Sequence, residues 1–108
     1  MDAKAVSDLT ERVRDALRAV VDPEAGINIV ELGLVYRIEV LERAVAIDLT
    51  MTSPTCPMGE MIEDEARQAA VAVLPEGYAI DLRIVWNPPW GPERMSDKAR
   101  RHFGWDGD

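Results

Sequence analysis

Val45-Ala46-Ile47-Asp48-Leu49-Thr50-Met51-Thr52-Ser53-Pro54-Thr55-Cys56-Pro57-Met58-Gly59-Glu60-Met61 changes its periodicity partway along. Val45, Ile47, Leu49 and Met51 alternate with Ala46, Asp48, Thr50 and Thr52, the period-2 pattern of a half-buried strand. Ile62, Ala66, Ala69, Ala70 and Val73 then recur at helical spacing. Pro54 and Pro57 interrupt both patterns, and Pro57 suits the first position of a helix, where a missing N–H costs nothing. A strand therefore enters this stretch and a helix, running from about Pro57 to Leu74, leaves it. The only cysteine of the chain, Cys56, falls at or near the N-cap.

Working outward, the strand has a partner upstream. Tyr36, Ile38 and Val40 alternate with Val35, Arg37 and Glu39, and Leu41-Glu42-Arg43 is short enough to close an antiparallel hairpin. The two apolar faces, Tyr36/Ile38/Val40 and Val45/Ile47/Leu49, are expected to cover one core. Upstream again, Leu9, Val13, Leu17, Val20 and Val21 mark one helical face and Arg12, Arg14, Asp15 and Arg18 the other. Ser7 is the expected N-cap, with Met1 to Val6 a loose terminus, and Pro23 is expected to stop this helix at Asp22. Asp22-Pro23-Glu24-Ala25-Gly26 reads as a turn. Ile27 to Leu34 reads as an apolar connector broken at Gly33.

Downstream, Pro75-Glu76-Gly77 ends the second helix. Ile80, Leu82, Ile84 and Trp86 alternate as a third strand. Asn87-Pro88-Pro89-Trp90-Gly91-Pro92 is too rich in proline for a regular element. Ser96 caps a last helix over Asp97 to Phe103, closed by Gly104, and Trp105 to Asp108 forms a tail. The order α-β-β-α-β-α describes an α+β fold: a small three-stranded sheet with an antiparallel hairpin and helices packed on it. The expectation is one domain over residues 1–108, with an ordered core from 7 to 104.

Composition bounds the function. The chain has 108 residues, 12 Lys plus Arg against 20 Asp plus Glu, and a net charge of −8, which argues against nucleic acid and anionic membranes as partners. A single cysteine excludes an internal disulfide framework, and no apolar run approaches the ~20 residues of a membrane span. A cytoplasmic location is expected. No Gly-rich phosphate loop, G-x-S-x-G or C-x-x-C occurs. His102 alone could serve a Cys/His or Ser/His/Asp apparatus as base, and its basic segment points to a surface role.

For Cys56 the residues support two readings of nearly equal weight. A lone cysteine is commonly a small buried hydrophobe. At a helix start, however, the free N–H groups of Met58 and Gly59 and the helix dipole favour thiolate, the form that binds metal or attacks an electrophile. Glu60, Glu63, Asp64 and Glu65 oppose that effect, and a lowered thiol pKa is the expected balance. Met58 and Met61 read as core or interface residues. Trp86 and Trp90 read either as core or as an aromatic surface for a partner.

Several motifs in order decide between these readings. They are Asp22-Pro23-Glu24, Asn28-Ile29-Val30-Glu31-Leu32-Gly33-Leu34-Val35-Tyr36, Thr52-Ser53-Pro54-Thr55-Cys56-Pro57-Met58, and Trp86-Asn87-Pro88-Pro89-Trp90 followed by Met95-Ser96. With them the chain resembles the PaaD/SufT-like family of metal–sulfur cluster biosynthesis proteins, the domain also found at the N-terminus of Mrp-type ATPases. The resemblance spans Val13 to Gly104. Glu31 stands where relatives often carry Asp, no Walker motif is present, and the extra cysteines of longer PaaD proteins are absent.

The resemblance implies a non-enzymatic iron–sulfur cluster assembly and maturation factor that helps deliver clusters to apoproteins. Cys56 would be its key thiolate and candidate cluster ligand, supported by Asp22, Glu24, Thr52 and Ser53. Trp86, Pro88, Pro89 and Trp90 would form a candidate partner surface. The implied partners are iron–sulfur assembly proteins and client apoproteins, with an iron–sulfur cluster bound transiently. One thiolate supplies one of the four ligands a cluster usually takes, which favours a homodimer. The rival reading is an adaptor that links a cluster carrier to its clients and binds no cluster. A thiol enzyme with Cys56 as nucleophile ranks third.

Overall fold

The hairpin forms as its alternation requires. The computed structural model describes residues 2–52 and 59–104. Strand β3 (Val35–Leu41) pairs antiparallel with β4 (Ala44–Leu49), with Ile38 opposite Ile47 and Val40 opposite Val45. Val45, Ile47 and Leu49 are buried, and Ile38 and Val40 pack against the same core. Glu42 and Arg43 make the turn, which Arg43 closes at φ 60. A bulge between Val35 and Arg37 breaks the ladder near the start of β3. Strand β5 (Ala79–Ile84) lies parallel to β4 on its other side, so the sheet order is β3-β4-β5.

A parallel neighbour needs a crossover, which helix α2 (Gly59–Val73) supplies. Its buried Ile62, Ala66 and Ala70 face the sheet, and the two alanines let the helix approach closely. Helix α1 (Ala3–Leu17) buries Leu9, Val13 and Leu17 against the same layer. The opposite face of the sheet is polar: Asp48 lies between Arg37, at 3.1 Å, and Arg83, at 3.5 Å.

Both ends of the first helix differ from expectation. Helix α1 starts at Ala3, because the Asp2 carboxylate accepts from the Ala5 N–H at 2.8 Å and caps it before Ser7 can. It ends at Leu17 and not at Asp22. Arg18, Ala19 and Val20 tighten the last turn with N–H bonds three residues back. Val21–Asp22 then forms a short strand, β1, antiparallel to β2 (Ile27–Asn28). Pro23 holds Asp22 extended, and the two-residue ladder completes what the proline begins. The apolar connector is thus part strand and part helical turn. The last helix, α3 (Asp97–Phe103), agrees with expectation at both ends: the Ser96 hydroxyl accepts from Ala99 N–H, and Gly104 closes it in the left-handed region at φ 76.

Candidate functional site

Residues 28–36 explain how the site is framed. The Asn28 side-chain oxygen accepts from the N–H groups of Val30 and Glu31, both at 3.0 Å, and so starts a single helical turn. Leu34 N–H returns to Ile29 C=O at 3.0 Å and Gly33 N–H to Val30 C=O at 3.1 Å, the paired bonds of a Schellman stop. Gly33 takes φ +81 there, and an added Cβ would lie 2.2 Å from the carbonyl oxygen of Arg94. Ile29, Leu32 and Leu34 are buried.

The polar groups of this turn reach outward. Glu31 receives Arg18 Nε at 3.3 Å, and its own C=O accepts from Ser96 N–H at 2.9 Å. The Ser96 hydroxyl and then Arg18 hold the Glu31 carboxyl below its ordinary value, against the opposing effect of burial. Glu31 thereby ties the end of α1 to the start of α3. Leu32 C=O accepts the Trp90 indole N–H at 2.8 Å, and Tyr36 donates its hydroxyl to Pro88 C=O at 2.8 Å. The Arg94 guanidinium lies 4.6 Å from the centre of the Tyr36 ring. The proline-rich loop is therefore fastened at both Pro88 and Trp90.

Because β4 and β5 are parallel, their C-terminal ends emerge side by side, with Leu49 in register with Ile84. Thr50–Thr52 and Val85–Trp86 follow from that end, and Val85 N–H donates to Leu49 C=O at 2.7 Å. Between them and the fastened loop lies a cleft of about 270 Å³ lined by Thr50, Met51, Thr52, Trp86, Pro89 and Trp90. Trp86 is 48% exposed at the mouth of this cleft. Thr50 is 1% exposed, and among the described residues its hydroxyl has no hydrogen-bond partner. Buried polar groups are normally paired, so this hydroxyl stands out in the wall of the cleft.

The expected site residues divide accordingly. Thr52, expected to support the thiolate, shares the cleft with Trp86, Pro89 and Trp90, which were expected to form a partner surface. Pro88 is adjacent and exposed. Cys56, Ser53 and the expected helix start at Pro57 and Met58 lie outside the described residues. Asp22 and Glu24 do not line the cleft. Asp22 is 3% exposed and its carboxylate accepts from the N–H groups of Glu24, at 2.9 Å, and Ala25, at 3.4 Å. It holds its own turn, whose outer side meets α3 where His102 Nε2 lies 3.2 Å from Ala25 C=O. Among the described residues no group of three or more His, Cys, Asp and Glu side chains is placed to hold a metal ion.

Thr50 and Met51 were not singled out as site residues. The signal for them is topological: only the parallel pairing of β4 with β5 sets them opposite Trp86, and strand alternation does not reveal the partner of a strand.

Comparison with known proteins gives the same frame. A family model described as iron–sulfur cluster assembly protein matches residues 10–81. The Fe-S protein maturation auxiliary factor YitW of Bacillus subtilis is 44% identical over 97 residues, covering 89% of this chain and 94% of its own. The auxiliary factor SufT of Staphylococcus aureus is 44% identical over 86 residues, covering 79% of this chain and 97% of its own. The crystal structure of a domain of unknown function from Bacillus anthracis superposes with a TM-score of 0.89 at 38% identity, covering 95% of this chain and 98% of that one.

Proposed function

The chain belongs to the iron–sulfur cluster assembly protein family, and on that footing we propose that it is a non-enzymatic maturation factor whose cleft receives the proteins between which a cluster passes. The observation that supports this reading is the cleft itself. Thr50, Met51 and Thr52 form one wall and run directly into the segment that carries Cys56, while Trp86, Pro89 and Trp90 form the other. A partner seated against the exposed Trp86 indole also meets Thr52, four residues before Cys56 in sequence.

In this reading the cluster is cargo. Cys56 offers one thiolate to it, with Thr52 and Ser53 shortly before it in sequence and Asp22 and Glu24 as supporting carboxylates. The remaining ligands come from a second copy, from the client or from small thiols, because a cluster usually takes four. The partners are iron–sulfur assembly proteins and client apoproteins, the protein acts as a homodimer, and its place is the cytoplasm. Among the described residues no helix is long and apolar enough to cross a membrane.

The exposure of Trp86 also favours a second reading, an adaptor that docks carrier and client without binding the cluster. Anaerobic purification with iron and sulfide analysis, combined with maturation of a client, separates the two. The carrier reading expects cluster absorbance that is lost in Cys56→Ser, and maturation that fails in both Cys56→Ala and Trp86→Ala while the fold persists. Maturation lost in Trp86→Ala but intact in Cys56→Ala would leave the adaptor. Full maturation by both variants would overturn the cleft as the site.

A further inference from the structure

We infer that the free edge of β5 is the surface on which a second copy of this chain docks, antiparallel and centred on Leu82. This gives an interface to the self-association proposed above and rests on that part of the reading alone.

The two edges of the sheet differ. The β3 edge is broken by the bulge between Val35 and Arg37 and is held at Tyr36 by the proline-rich loop. Such devices blunt an edge against pairing. The β5 edge has neither: its register to β4 runs without a shift from Ala79 to Ile84, and among the described residues no strand pairs with its other side.

The ladder then says which groups remain free. Ala79 N–H donates to Arg43 C=O at 2.9 Å and Val85 N–H to Leu49 C=O at 2.7 Å. A parallel ladder engages alternate residues, so Asp81 and Arg83 turn to β4 as well. The N–H and C=O groups of Ile80, Leu82 and Ile84 face outward. A second β5 set antiparallel with Leu82 opposite the partner's Leu82 pairs every one of them. Ile80 meets the partner's Ile84, and Ile84 the partner's Ile80.

The same register opposes Asp81 to the partner's Arg83 and Arg83 to the partner's Asp81. These are the closely spaced, non-hydrogen-bonded positions, where cross-strand side chains approach most nearly. Both side chains are exposed, and among the described residues Arg83 pairs only with Asp48, at 3.5 Å. Charges on an edge ordinarily repel a second copy. Opposite charges placed one residue either side of a two-fold centre attract it, and only in this register. Continued past the strand ends, the same register sets the exposed Trp86 opposite the partner's Tyr78, so the second copy adds to the rim of the cleft.

Exposed pairs set register more than affinity. The test is therefore a charge exchange, read by light scattering and sedimentation over a concentration series, with circular dichroism to confirm folding. Wild type is expected to dimerise. Asp81→Arg sets arginine against arginine twice and should raise the dimer dissociation constant about tenfold. Adding Arg83→Asp to it restores two attractive pairs and should return the constant to near wild type. A wild type that is monomeric throughout overturns the proposal, as does a dimer indifferent to Asp81→Arg or one that the double exchange fails to rescue. If Asp81→Arg fails to fold, the double exchange decides alone: a folded monomer overturns the proposal and a folded dimer supports it. Cluster maturation by a monomeric variant would leave the proposed function standing without this interface.

Discussion

The turn from Asn28 to Tyr36 and the cleft between Thr50 and Trp90 face each other across the proline-rich loop and treat their polar groups in opposite ways. In the turn the caps, the Glu31 carboxylate, the Leu32 carbonyl and the Tyr36 hydroxyl each find a partner. In the cleft a buried hydroxyl has none among the described residues, and Trp86 is half exposed. A saturated region has nothing left with which to bind, so its residues are explained by the fold. An unsaturated one carries a stability cost that a bound partner can offset. On the reading proposed above, the family motifs thus separate into a fastening and a receiving surface, though they read alike as strings of residues.

If that contrast is right, the largest stability effect of a small change belongs to the turn. Gly33→Ala puts a Cβ on a left-handed residue and 2.2 Å from a backbone oxygen that the 3₁₀ turn of Pro92–Arg94 holds in place. We expect a loss of at least about 3 kcal/mol, from the disfavoured conformation together with the forced backbone shift. Denaturant melts check it. A loss below about 1 kcal/mol would show that residues 92–95 yield easily and do not fasten the loop.

Glu31→Gln comes next. It keeps the shape but removes the charge that Arg18 and Ser96 share, and should cost about 1–2 kcal/mol near neutral pH. The sign with pH follows from the lowered carboxyl. The contribution is fully present above the ordinary value of 4.5 and is lost as the pH falls from there through the lowered value. Wild type and Glu31→Gln should therefore converge on acidification. A gap in stability that stays constant from neutral to acid pH would mean that packing, and not the charge, ties α1 to α3.

The same contrast shows what could be read from the residues alone. The hairpin, the Ala-faced α2 and the whole of α3 follow local rules of alternation, spacing and capping, and the structure agrees with them. The start of α1 was a choice between two good caps, Asp2 and Ser7, that local preference does not settle. The strand pair Val21–Asp22 with Ile27–Asn28 is too short for alternation to register. Glu31, noted only as a departure from the family pattern, turned out to join two helices. Asp22 directs its carboxylate into its own turn, as the turn reading of residues 22–26 expects. Glu31 and the short strand pair depend on partners distant in sequence or on a two-residue ladder, and neither leaves a periodic trace. The cleft was legible as two separate motifs and became one place only through the parallel pairing of β4 and β5.

The smallest expected effect tests the contrast from the other side. Thr50→Val keeps the branched shape and deletes the unpartnered hydroxyl. For a buried group that has already lost water and gained nothing, its removal should leave stability unchanged or raise it by up to about 1 kcal/mol. In the saturated turn, deleting a polar group does the reverse, because its partner is then stranded. Thermal and denaturant melts should therefore rank Thr50→Val at or above wild type and Glu31→Gln below it. A loss above about 1 kcal/mol for Thr50→Val would mean that the hydroxyl is bonded in solution and that the cleft is closed as the turn is. If stability holds while client maturation falls, the hydroxyl is engaged by what the cleft receives, and its unpaired state is the cost of keeping that place open.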